Sequence, residues 1–227
     1  MIRKCSRITP YRSLRLLVPL LLTAGHLPAD LRAQNADRDE WQRVPDVIAA
    51  LAIGGGSQVA DVGAGNGYFT THLARQVGAS GAVFAVEIGE SELSRLKRLV
   101  EQQELDNIEV VRGEIDDPKL PERTLDAVLV VDAYHEMTEH EQMLAGMRRA
   151  LRPGGRLVII DLAPYDGSAS RERHTDSHRI GIDLVEREVR AAGFELLESD
   201  PGFTRTGRGT GQWMLVARRP AQPGSGS

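Results

Sequence analysis

The sequence predicts an α/β protein in which a mostly parallel sheet is covered by helices, and three observations carry that prediction. Short runs rich in Val, Ile and Leu alternate with longer segments of helical periodicity, the pattern of repeated βαβ units. The run at 125–131, LDAVLVV, is apolar almost throughout, as strands are when a parallel sheet buries both faces. A glycine-rich turn, Gly63-Ala64-Gly65-Asn66-Gly67, follows the first apolar run and opens a helix.

The elements follow in order. Trp41, Val44, Ile48 and Leu51 share one helical face over 37–53, and Gly54, Gly55 and Gly56 end that helix. Trp41 is expected to pack this leading helix across the sheet or the ligand cleft. A buried strand is expected at 58–62, a helix at 68–77 and a second strand at 82–87. The helix at 91–104 turns Leu93, Leu96, Leu99 and Val100 to one side. Strands follow at 108–112 and 125–131, then a helix at 139–151 stopped by Pro153, Gly154 and Gly155. Its end carries Arg148, Arg149 and Arg152, read as a solvated cluster that complements the helix dipole. A fifth strand at 156–160 leads into a loop from Pro164 to Ile180, a helix at 184–192 and two closing strands at 195–198 and 213–217. No internal repeat is visible.

The chain has 227 residues, 41% hydrophobic and 26% charged, enough for one sizeable core. Its formal charge of −4 hides an asymmetry, because residues 1–33 hold six Lys/Arg and a single acid, Asp30. The remainder sets 22 Lys/Arg against 31 Asp/Glu. An acidic body with 4% aromatic residues lacks the positive footprint and stacking surface of a nucleic-acid binder. Cys5 is the sole cysteine, so no intramolecular disulfide forms. Arg3, Lys4, Arg7, Arg12 and Arg15, then the apolar run Leu16 to Ala24, then Ala29 and Ala33, follow the order of a secretory signal. Residues 1–33 are therefore read as a signal-like leader, placing the protein in the periplasm or outside the cell, or else near the membrane on its cytosolic face. The working domain is read as 38–219, and 220–227 (PAQPGSGS) as a flexible, linker-like tail or an expression remnant.

In a doubly wound sheet the ligand sits outside the carboxyl ends of the strands, so the first strand-to-helix turn is the place to look. Gly63, Gly65 and Gly67 let the loop take positive φ and let a ligand touch the main chain. A dinucleotide fingerprint wants Gly or Ala at position 68, where this chain has Tyr68, and the Lys-Ser/Thr pair of a phosphate-cradling loop is missing. The ligand is therefore read as a nucleoside without a diphosphate. Glu87 closes the second strand twenty residues past Gly67, where a carboxylate can accept hydrogen bonds from both ribose hydroxyls.

The segments VADVGAGNGYFT (59–70), AVEIG (85–89), LDAVLVVDAYHEM (125–137) and LRPGGRLVIID (151–161) resemble the class I S-adenosylmethionine-dependent methyltransferases. The resemblance spans about 40–218. It implies a Rossmann-like, three-layer sandwich with a seven-stranded, mostly parallel sheet whose last strand runs antiparallel beside the fifth. It also implies S-adenosylmethionine as cofactor. Asp61, Gly63, Gly65 and Gly67 would border the methionine part, and Glu87 would hold the ribose diol. Glu114, Asp116 or Asp117 would reach the adenine amino group, and Asp132 would face the methionine ammonium and the acceptor.

On the acceptor side the resemblance is silent, because methyl transfer needs mainly an in-line nucleophile and a base only where the acceptor carries a proton. Tyr134, His135 and Glu136 follow the fourth strand, and His174, Asp176 and His178 lie in the loop after the fifth. Tyr134, His135 and His178 are the candidate catalytic residues. If the loop folds over the methyl group, His178 or His174 approaches His135, as a general base or a weak metal site. The ordinary reading of RERHTDSHR is a solvated stretch, and no metal ligand is assigned. The expected activity is methyl transfer to a small molecule, against a non-catalytic nucleoside-binding domain and a nicotinamide-dependent oxidoreductase, the latter disfavoured by Tyr68.

Overall fold

The computed structural model describes residues 37–165, 170–204 and 211–221. The leader read at 1–33 and residues 222–227 of the tail lie outside them. From Arg38 onward the described residues form one compact unit, and no helix among them is long and apolar enough to cross a membrane.

Seven strands form one sheet: β1 (Gln58–Val62), β2 (Ala82–Glu87), β3 (Ile108–Arg112), β4 (Leu125–Val131), β5 (Leu151–Leu162), β6 (Glu195–Asp200) and β7 (Gln212–Arg218). Their order is β3-β2-β1-β4-β5-β7-β6. The first five pair in parallel, and β7 runs antiparallel to both β5 and β6. The chain thus doubles back between β1 and β4, and the carboxyl ends of those two strands open a crevice there.

The apolar runs are explained by burial on both sides. In β4, Val128 and Val130 join one core while Ala127 and Leu129 join the other. In β5 the same alternation separates Leu157 and Ile159 from Val158 and Ile160, as the two-residue period of a strand requires. One face is covered by α1 (Val44–Leu51) and α2 (Tyr68–Val77). α3 (Glu90–Gln103) extends this layer by setting Leu96 against Ala64 and Ala85. The other face carries α4 (His140–Ala150) and α6 (Ile182–Ala191). Cross-links tie the layers: Trp213 Nε1 donates to Ile180 O at 2.8 Å, and Asn107 Nδ2 donates to Ala74 O and Gly78 O at the end of α2.

Four expectations change. The single helix read over 37–53 is broken, with a helical segment at 37–41, Arg43 in the left-handed region at φ 51° and α1 restarting at Val44. Pro45 in its first turn lacks an amide hydrogen and its ring clashes with the preceding turn, so a continuous helix is excluded. Trp41 does not cover the sheet; it is 49% exposed. The loop after β5 contains a further helix, α5 (Arg171–Asp176), whose N-cap Ser170 side chain accepts from Arg173 N–H. The Arg cluster after α4 is only partly solvated, since Arg148 Nε donates to Gly193 O at 3.2 Å and Arg152 pairs with Asp126.

The glycine loop is fitted to its surroundings position by position. A Cβ on Gly63, at φ +76°, would stand 2.4 Å from the Ala133 Cβ, whereas one on Gly65, at φ +57°, would meet nothing within 4 Å. We expect Gly63→Ala to cost about 2–4 kcal/mol, through the left-handed backbone and the clash together. Gly65→Ala should cost about 1–2 kcal/mol through the backbone alone. Denaturant unfolding of both variants checks the ranking.

Candidate active site

The crevice between β1 and β4 is a cleft of about 440 Å³. Gly63 and Gly65 form part of its floor, Glu87 and Ile88 one side, and Asp132 and Glu136 the other. The loop is pinned to the sheet by Gly63 N–H and Ala64 N–H, both donating to Val86 O. Glu87 turns its carboxylate onto this loop and accepts the Gly65 N–H at 2.6 Å. Sheet and loop therefore bring Glu87 and the glycines to one place.

The other expected cofactor residues divide. Asp61 lies buried beneath the cleft, and its carboxylate accepts the Thr70 hydroxyl at 2.6 Å. Burial raises its pKa from 3.8 to about 6, against the pull of the Thr70 hydroxyl and with help from the charge on Glu87. Gly67 does not border the cleft: at φ +79° it makes room for α3, and a Cβ there would meet Leu99 Cδ2 at 2.3 Å. Glu114 lines the cleft, with Lys119 Nζ 3.1 Å from its carboxylate. Asp116 is outside the lining, and Asp117 is engaged with Lys119, accepting its backbone N–H at 2.9 Å and facing its ammonium at 3.1 Å. Asp132 lies in the cleft wall at φ 51°, its two oxygens accepting from Gln212 Nε2 at 2.9 and 2.8 Å. Burial raises the Asp132 pKa, opposed by the Gln212 amide.

The acceptor side is assembled by Asp161, which sequence reasoning did not single out. Its carboxylate, fully buried at the end of β5, accepts His135 N–H at 3.0 Å, contacts His135 Nδ1 at 2.8 Å and accepts Leu162 N–H at 2.7 Å. A lone acid inside the apolar run RLVIIDL was the available signal, since a buried carboxylate persists only where donors surround it. Burial disfavours the His135 imidazolium, but the Asp161 carboxylate outweighs it and lifts the ring's pKa above its ordinary value. Gln212 was also missed, for it belongs to a strand that offered only a buried polar residue.

The loop after β5 does reach this place. Thr175 Oγ1 donates to His135 O at 2.8 Å, and Arg171 Nη2 donates to Met137 O at 2.8 Å, so α5 docks onto the turn at Tyr134–Glu136. His178 then stands edge-on to His135, ring centroids 5.5 Å apart. His174 is buried, which corrects its reading as a solvated histidine. Tyr134 is also corrected. It points into the core, fully buried, and its hydroxyl donates to Glu188 Oε2 at 2.8 Å. Burial and the Glu188 charge push its pKa up, so it neither touches the cleft nor ionises readily. The polar partner on α6 drew the ring inward, while its neighbour His135 was taken by Asp161.

Comparison with known proteins agrees with this architecture. Residues 59–155 match the family described as "Methyltransferase domain". Over 124 residues the chain is 32% identical to a ubiquinone/menaquinone biosynthesis C-methyltransferase of Hahella chejuensis, covering 54% of this chain and 49% of that protein. The match therefore spans about half the length of that relative. Among solved structures, a SAM-dependent methyltransferase from Aquifex aeolicus superposes with a TM-score of 0.68 at 23% identity, covering 86% of this chain and all of the other. The [4+2]-cyclase SpnF superposes with a TM-score of 0.67 at 19% identity, over 79% and 81% of the two chains. At such identities the superpositions establish the fold, that of S-adenosylmethionine-dependent methyltransferases, and the sequence match over 59–155 makes this part of the chain similar to the methyltransferase-domain family.

Proposed function

We propose that this protein transfers the methyl group of S-adenosylmethionine to a small-molecule acceptor. The observation that carries the proposal is the cleft in which Glu87 is held against the glycine loop, with open space over Gly65 and Asp132 on the facing wall. The residues fit the cofactor. Glu87 and Glu114 both line the cleft, where Glu87 would accept from a ribose diol and Glu114 from an adenine amino group. Ile88 and Ile115, 57% and 58% exposed, line the same cleft and would be covered by a planar base. Gly63, Gly65 and Asp132 are left for the methionine end, with Asp61 below.

When bound, S-adenosylmethionine supplies an electrophilic methyl on a sulfonium, with a neutral thioether as leaving group. The protein's part is to position and to set charge. Asp61, Glu87 and Asp132 converge on a cleft that favours a cationic ligand, and the narrow floor at Gly63 and Ala133 fixes its depth. Asp161 aims the far side of the His135 ring toward Glu136 and His178, so an acceptor entering from that wall meets groups able to handle its proton. SpnF, a cyclase on this fold, shows why the acceptor side has to be read from these residues and not from the sheet.

Titrating the purified protein with S-adenosylmethionine, S-adenosylhomocysteine and NAD should show binding of the two sulfur nucleosides and none of NAD; binding of NAD alone would sink the proposal. Glu87→Ala should weaken S-adenosylhomocysteine by more than about 1 kcal/mol, the scale of lost hydrogen bonds to a charged group. Unchanged affinity would show that the ribose lies elsewhere. Asp61 makes a separate prediction. A folded-state pKa near 6 against 3.8 means that the native chain holds an extra proton between those values, so stability falls as pH rises through that window and levels off above it. Asp61→Asn, which keeps an acceptor for the Thr70 hydroxyl, should remove that component, on the order of 3 kcal/mol. Urea midpoints of both proteins at pH 4 and pH 7 measure the difference.

A further inference from the structure

Among the described residues, His135, Glu136 and His178 place three ligand atoms within 4.8 Å of one another. Two of the separations are known closely: His135 Nε2 to Glu136 Oε1 is 3.7 Å, and His178 Nδ1 to Glu136 Oε1 is 3.6 Å. Zinc with bonds of about 2.0–2.2 Å in tetrahedral geometry sets its ligands about 3.4 Å apart, so a contraction of a few tenths of an ångström brings these pairs to coordination distance. From this cluster we propose that His135, Glu136 and His178 hold a divalent transition metal, zinc by the chemistry of the donor set, whose open position takes an ionisable oxygen or sulfur of the methyl acceptor.

His135 supplies the independent observation. Its side chain is 4% exposed, yet Nε2 has no hydrogen-bond partner and is aimed at Glu136. Nδ1 is committed to Asp161 at 2.8 Å, which leaves Nε2 as the coordinating atom. A carboxylate behind a histidine is the arrangement that orients metal-binding imidazoles and raises their basicity. His178 is brought across by α5, which is anchored to the same turn through Thr175 and Arg171. It ends that approach at φ 53°, in the left-handed region.

Two histidines and a glutamate form a known catalytic zinc set, three protein ligands and a fourth position left open. The opening matters because of where the trio stands. Glu136 also lines the cofactor cleft, beside Asp132 and Met137. An acceptor bound through a phenol, enol or thiol would lose its proton to solvent, and the freed lone pair would form the bond to the methyl carbon. The electrons of the broken carbon–sulfur bond would return to the sulfonium sulfur. The acceptor half of this inference rests on the methyl-transfer reading; the metal half does not.

The test begins with full-length protein stripped by chelator and titrated with zinc in a calorimeter, and with cobalt(II) followed by visible absorption. One equivalent of each should bind, and cobalt should give the strong bands of a tetrahedral site. His178→Ala and Glu136→Gln should each lower zinc affinity ten- to a hundredfold. His178 is 73% exposed, so its variant is expected to fold, and an unchanged thermal melt together with unchanged S-adenosylhomocysteine affinity would confirm that. Thiophenol added to the cobalt protein should shift the spectrum. No zinc uptake by protein that binds S-adenosylhomocysteine overturns the metal site, as does undiminished affinity in both variants. A cobalt spectrum indifferent to thiophenol overturns the acceptor class. Zinc binding without any S-adenosylhomocysteine binding would instead remove the methyl-transfer reading and leave the site.

Discussion

The carboxylate of Asp161 is the point on which the site depends. It is buried at the end of β5, where an unpaired charge would cost several kcal/mol, and it meets that cost by accepting from His135 N–H and Leu162 N–H and by facing the His135 ring. Two backbone amides and one side chain are thereby fixed to one residue. The His135 amide belongs to the turn that follows Asp132, so the same carboxylate that aims the imidazole also holds the wall of the cofactor cleft. The cofactor side and the acceptor side share a single fastening.

A second constraint runs through the charges. The cleft gathers Glu87, Glu114, Asp132 and Glu136 around its rim with Asp61 beneath, in a chain whose body is already acidic. Burial raises the pKa of Asp61 and of Asp132, with the Glu87 charge adding to the first and the Asp161 charge to the second. A sulfonium or an ammonium placed in this cleft would meet that concentration of acids and be favoured by it.

The middle of the sheet is legible in the sequence because β1, β4 and β7 are buried on both faces, and burial of that kind writes an apolar run with no alternation to misread. β1, β2, β3 and β4 have the bounds expected from the sequence. The leading helix departs from its periodicity at Pro45, which forbids the turn that would make it continuous. α5 is six residues of RERHTD, polar on most sides, and takes its order from tertiary partners at His135 and Met137 that no local pattern announces. Tyr134 and His135 are neighbours with opposite fates. Tyr134 is held in the core by Glu188 and His135 against β5 by Asp161, partners 54 and 26 residues away.

The placement of β7 between β5 and β6 bears on how the molecule comes to exist. A strand in the interior of the sheet is here the last one synthesised, pairing with β5 across some fifty residues of intervening chain. Until it emerges, β5 and β6 both present unpaired edges, and Gln212 is not yet available to hold Asp132. The nascent chain can bury most of its two cores and still lack a finished site, because the free edge of β5 and the partner of Asp132 both wait on the final strand.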